Sequence, residues 1–170
     1  MVLIFLLLVG GCSSQGKTNH IYLIPEGYEG SVTVFFNIPD APGLKKEGEF
    51  SVIPIHKTEI EALHQTDYAT YGYALTSREE TYTPEAPTYE VNNQYYYVDA
   101  EGERTRIDDY CIHGMGDHGG STGASGKEIT YVYFQVTNSE CGEDFFLHGN
   151  ESYTIQKNEA QSKWINQYAD

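Results

Sequence analysis

Between Asp108 and Lys127 the chain gathers side chains that could do chemistry: Asp108, Asp109, His113, Asp117 and His118, then Ser121 and Ser125 in a glycine-rich run ending Gly126-Lys127. Two imidazoles and several carboxylates are the nitrogen and oxygen donors that zinc takes at about 2 Å, three or four of them converging. Asp109, His113, Asp117 and His118 form the candidate metal set, although no HExxH-type frame fixes the two histidines. The same segment offers a nucleophile, Ser121 or Ser125, with His113 or His118 as base and Asp117 as orienting acid. It lacks the G-x-S-x-G elbow that would expose such a serine. A phosphate loop is excluded: Ser121 stands where its first glycine belongs and Glu128 follows Lys127 where Ser or Thr is needed. The plainest reading of residues 114–126 is a mobile linker between strands. The acidic run Asp99 to Glu103 lacks the spaced ligands of a calcium loop and reads as a hairpin turn. No cofactor is expected.

Fifteen tyrosines are the strongest compositional signal. A flat amphipathic ring gives contact area to sugars or proteins at low entropic cost. Tyr68, Tyr71, Tyr73, Tyr82 and Tyr89 lie in or near a long polar stretch and are the candidate contact surface for an envelope protein or a glycan. The competing use is to fill sheet faces and shield edges. With 25 acidic and ten basic residues, all after Cys12, the chain carries a formal charge of −15. That excludes nucleic acid as a partner and disfavours acidic lipid surfaces.

Cysteine has three separate uses to consider. Met1 to Val9 is apolar, too short for a membrane span of about 20 residues and suited to the core of an export signal. It ends Val9-Gly10-Gly11-Cys12 and resembles a bacterial lipoprotein signal. The resemblance implies removal of residues 1–11, acyl chains on Cys12 and a tether over residues 12–19. One acyl chain holds only marginally, so stable anchoring takes two or more. Cys111 and Cys141 would then stand outside the cell, where a disulfide can persist. Two free thiols or a metal pair are the alternatives, the latter without CxxC spacing. No later run is long and apolar enough to span a bilayer.

The elements that must position these residues are mostly strands. His20 to Ile24 stops at the turn Pro25-Glu26-Gly27, and Ser31 to Ile38 alternates, with Val32, Val34, Phe36 and Ile38 on one face. Phe50 to Ile55, Tyr71 to Thr76 and Ile129 to Val136 read as further strands, and Pro54 marks an edge or bulge. Tyr95 to Val98 and Thr105 to Ile107 flank the 99–103 turn as a hairpin. Residues 57–70 fit a loop or a short helix equally, and 77–93 a long loop. Near the C-terminus, Ala160, Trp164 and Tyr168 recur at helical spacing with Asn158 available as a cap.

The pattern predicts an all-β domain over residues 20–150, an antiparallel β-sandwich or barrel of immunoglobulin-like or transthyretin-like kind. A short C-terminal helical tail over 151–170 should pack on it, docking the one tryptophan. The run Tyr22 to Gly30, the turn Pro39-Asp40-Ala41-Pro42-Gly43, the strand Phe50 to Ile55 and the later Ile112-His113-Gly114 resemble an uncharacterised family of exported bacterial lipoproteins. That resemblance implies an exported β-rich domain and no assigned activity. The expectation is a non-catalytic binding module, lipid-anchored on the extracytoplasmic face of a bacterial membrane. A metal-binding protein or metallohydrolase and a structural envelope lipoprotein are the alternatives.

Overall fold

The computed structural model of the chain describes residues 16–59, 70–80, 89–122, 126 and 128–169. Cys12, Tyr68, Tyr82 and Ser125 lie outside them.

One sheet holds β2 (His20–Pro25), β4 (Lys45–Glu47), β5 (Phe50–Pro54), β9 (Gln94–Val98) and β10 (Arg104–Arg106), in the order β10-β9-β2-β5-β4. The other holds β3 (Gly30–Phe36), β6 (His56–Glu59), β7 (Thr70–Leu75), β11 (Ile112–His113), β12 (His118–Thr122) and β13 (Glu128–Val136). Its order is β11-β13-β3-β7-β6, with β12 also on β13. A separate parallel pair joins β1 (Gly16–Thr18), inside the expected tether, to β8 (Tyr89–Val91). Two helices follow, α1 (Glu143–His148) and α2 (Glu151–Ala169).

The expected β-sandwich is present, but its sheets are mixed rather than purely antiparallel. β2 runs parallel to both β5 and β9, and β3 runs parallel to β7. The cause is the turn after β2. The Tyr28 N–H donates to the Pro25 carbonyl at 3.1 Å, and Gly27 sits at φ 70°. That is the left-handed position a type II turn reserves for glycine. The turn carries the chain into the opposite sheet, so β2 and β3 recruit neighbours from later in the chain, through crossovers that allow parallel pairing. At Ile55, whose N–H donates to the Leu23 carbonyl at 2.8 Å, the chain switches sheets again, so β5 and β6 form a corner after Pro54.

Val32, Val34 and Phe36 face inward as their alternation predicts, against Tyr22, Ile24, Ile53 and Tyr95. Ile38 does not share that face: Asn37 adopts φ 58°, and Ile38 joins Phe35 and Ile129 on the other side. Every residue of β3 is buried because α2 covers its second face. The molecule is therefore sheet, sheet and helix in three layers. Trp164 docks as expected, stacked on Tyr73 with ring centroids 4.9 Å apart, and Ala160 packs on Tyr71. Of Tyr168 only the backbone is described.

Two further expectations are corrected. Asn150, rather than Asn158, caps the helix, its Oδ1 accepting from the N–H groups of Ser152 and Tyr153 at 2.9 and 3.4 Å. The 114–126 segment is not simply a linker: His118–Thr122 pairs along β13 from Val132 to Glu128. Gly119 permits this, since a Cβ there would lie 2.7 Å from the Tyr131 ring that covers the strand.

Candidate functional site

The structure gives Asp109, His113 and His118 of the candidate metal set local partners. Asp108 accepts from the Tyr110 N–H at 2.9 Å, and exposed Asp109 pairs with Arg106 at 3.5 Å. His113 Nδ1 lies 2.9 Å from the Phe146 carbonyl, with its ring against Gly149, and His118 Nδ1 lies 3.1 Å from the Gly116 carbonyl. Among the described residues no three His, Cys, Asp or Glu side chains are placed to hold a metal ion. His113 and Asp117 do share a crevice of about 210 Å³ with Tyr133, Thr154 and Lys157, but His118 and Asp109 do not line it. Lys157 Nζ sits 4.1 Å above the Tyr133 ring. Ser121 lies in β12, with no histidine hydrogen-bonded to it among the described contacts.

Cys111 and Cys141 form a disulfide, with Cα atoms 4.3 Å apart. The turn leading into Cys141 is held by Glu29. Its carboxylate accepts from the Ser139 N–H at 2.7 Å, the Ser139 hydroxyl at 3.1 Å and the Asn138 N–H.

Of the five candidate surface tyrosines, the side chains of Tyr71 and Tyr73 are described. Tyr71 is fully buried, so it cannot contact a partner; burial raises its hydroxyl pKa. Tyr73 is half-buried beneath Trp164. Of Tyr89, only its backbone in β8 is described. Tyr28, from the Tyr22 to Gly30 motif, is also structural. Its hydroxyl accepts from the Gly72 N–H at 2.8 Å and donates to the Ser31 carbonyl, tying β7 to β3. Gly72 leaves room for this ring: a Cβ there would lie 3.1 Å from it and 2.9 Å from Val32.

The concave site that sequence reasoning missed lies at the corner where β5 leaves its sheet. A cleft of about 400 Å³ has Leu23, Val52 and Pro54 on one wall and Ala74 and Leu75 on the other. Pro42, Gly43 and Leu44 close it on a third side, and Lys45, Glu47, His56 and Arg104 stand around it. Arg104 grips Glu47 through two 2.8 Å hydrogen bonds, joining the outermost strands β10 and β4. That pairing lowers the Glu47 pKa, chiefly through its hydrogen bond to Arg104. No spacing rule could reveal this site, because its residues run from 23 to 104 and meet only through the sheet switch.

Fold and cleft together define a three-layer β-sandwich protein with a largely apolar binding-type cavity. The chain belongs to a family of unknown function (DUF6843), whose pattern it matches over residues 16–145. It is also similar to the crystal structure of a candidate lipoprotein from Bacillus anthracis, at 30% identity and a TM-score of 0.66. That match covers 91% of this chain and 99% of the other. No curated protein matches the chain.

Proposed function

We propose that the chain is a lipid-anchored envelope protein whose sandwich serves as a non-catalytic binding module on the extracytoplasmic face of a bacterial membrane. The observation that carries this reading is the likeness, over nearly the whole length of both chains, to the candidate lipoprotein. The Cys111–Cys141 disulfide supports it, being a bond that persists in oxidising compartments. Among the described residues no helix is long and apolar enough to cross a membrane; the attachment in this reading is by acyl chains on Cys12. The cleft at the sheet switch is the place where a ligand would bind.

Protease added to intact cells stripped of their wall is the test. The reading expects loss of the domain while a cytosolic enzyme survives; survival of both together would refute it.

A further inference from the structure

We infer that the cleft at the β5–β6 corner binds an aliphatic chain bearing an anionic end group, the chemistry shared by fatty acids and acidic lipids. This rests on the reading of the domain as a binding module and names its ligand class.

The volume, about 400 Å³, lies within the range of about 300–1,000 Å³ typical of small-molecule sites. The walls decide what can fill it. Leu23, Val52, Pro54, Ala74 and Leu75 offer no hydrogen-bonding side chain, and Leu44 extends the same surface. A sugar or peptide placed there would bury hydroxyl or amide groups without partners, at a cost of about 1–3 kcal/mol each. Sugars are also held by stacking on aromatic rings, and no Phe, Tyr or Trp lines this cleft. An aliphatic chain needs neither hydrogen bonds nor rings, and gains about 0.8 kcal/mol per buried methylene.

The mouth selects the end group. Arg104 and Glu47 neutralise one another. Lys45 is exposed and forms no ion pair among the described residues, and His56 stands beside it on the lining. A molecule with a formal charge of −15 thus presents a net positive rim at this largely apolar cavity. A carboxylate or phosphate at the mouth would meet the Lys45 ammonium, whereas an uncharged alcohol would gain only the chain contacts.

The experiment uses the full chain in phosphatidylcholine nanodiscs. A diazirine-bearing fatty acid is photo-cross-linked to the protein, in competition with laurate or dodecanol, and the labelled peptides are mapped by mass spectrometry. Labels are expected on peptides carrying Leu44 or Val52 to Pro54. Laurate should compete at about tenfold lower concentration than dodecanol, the ratio worth about 1.4 kcal/mol. Leu44→Trp, which fills the mouth, should abolish labelling. Lys45→Gln, at an exposed position that leaves the fold untouched, should remove the advantage of laurate. Labels outside the cleft, or labelling that a folded Leu44→Trp variant retains, would overturn the site. Equal competition by laurate and dodecanol in the wild type would overturn the anionic end group. Protease accessibility in cells reports on export alone, so the two proposals fail separately.

Discussion

His20 is a buried imidazole at the start of β2, with Nδ1 3.2 Å from the Tyr22 hydroxyl and its ring 5.9 Å from Phe36. Burial first, then the nearby charges of Arg78 and Lys46, push its pKa down to about 4. In the unfolded chain it titrates near 6.5. As pH falls from about 6.5 to about 4, the unfolded state therefore takes up a proton that the folded state refuses. Stability is whole above that window and drops through it, by up to about 3 kcal/mol. Urea midpoints of wild type and His20→Gln should keep a constant separation above pH 6.5 and change it steadily below. A separation constant down to pH 4 would show that His20 is not held neutral by the fold. Two buried glutamines of α2 are paired. Gln156 Oε1 accepts from the Ser31 N–H and hydroxyl at 2.8 and 2.9 Å, while its Nε2 donates to the Thr70 carbonyl. Gln161 Nε2 donates to the Thr33 hydroxyl at 3.1 Å. Polar docking of this kind fixes the seat of the helix, because an unmatched amide there would cost more than a misplaced methyl.

Among the elements, those with a clean two-residue or aromatic-rich pattern were legible in the sequence: β2, β3, β5, β7, β9 and β13 all lie where their side chains predict. The span of α2 matches the helical tail expected over 151–170, but its cap was misplaced, and Gln156 and Gln161 explain why. Its buried face runs Tyr153, Gln156, Ala160, Gln161, so half of it is polar and hydrophobic periodicity cannot mark its first turns. β12 was missed for a different reason, since glycine usually signals a break and here admits the Tyr131 ring. The metal set is not brought together among the described residues, because spacing in a loop says nothing about where turns aim the side chains. The disulfide was legible from compartment logic, and it fastens the turn before β11 to the turn before α1 across 30 residues. Closing such a loop stabilises the fold by about 3–4 kcal/mol on chain-entropy grounds. A Cys111→Ser, Cys141→Ser double variant should lose about that much in urea unfolding. An unchanged midpoint would mean that Glu29 and the surrounding turn already hold this region.

At the scale of the whole molecule, the proposed lipid anchor would act on the domain through β1. Gly16 is four residues beyond Cys12, so an extended tether reaches only about 14 Å. Pairing of β1 with β8 then fixes where that tether joins the domain. On this account the sandwich rests close to the bilayer, held by burial of acyl chains against the repulsion between its own charge of −15 and acidic headgroups. Everything functional in this picture depends on the state of Cys12. The decisive measurement is the mass of the N-terminal peptide of protein isolated from its native membrane. The account predicts a chain beginning at Cys12 with acyl-bearing glyceride on its sulfur; an unmodified Cys12 thiol still joined to Gly11 would contradict it.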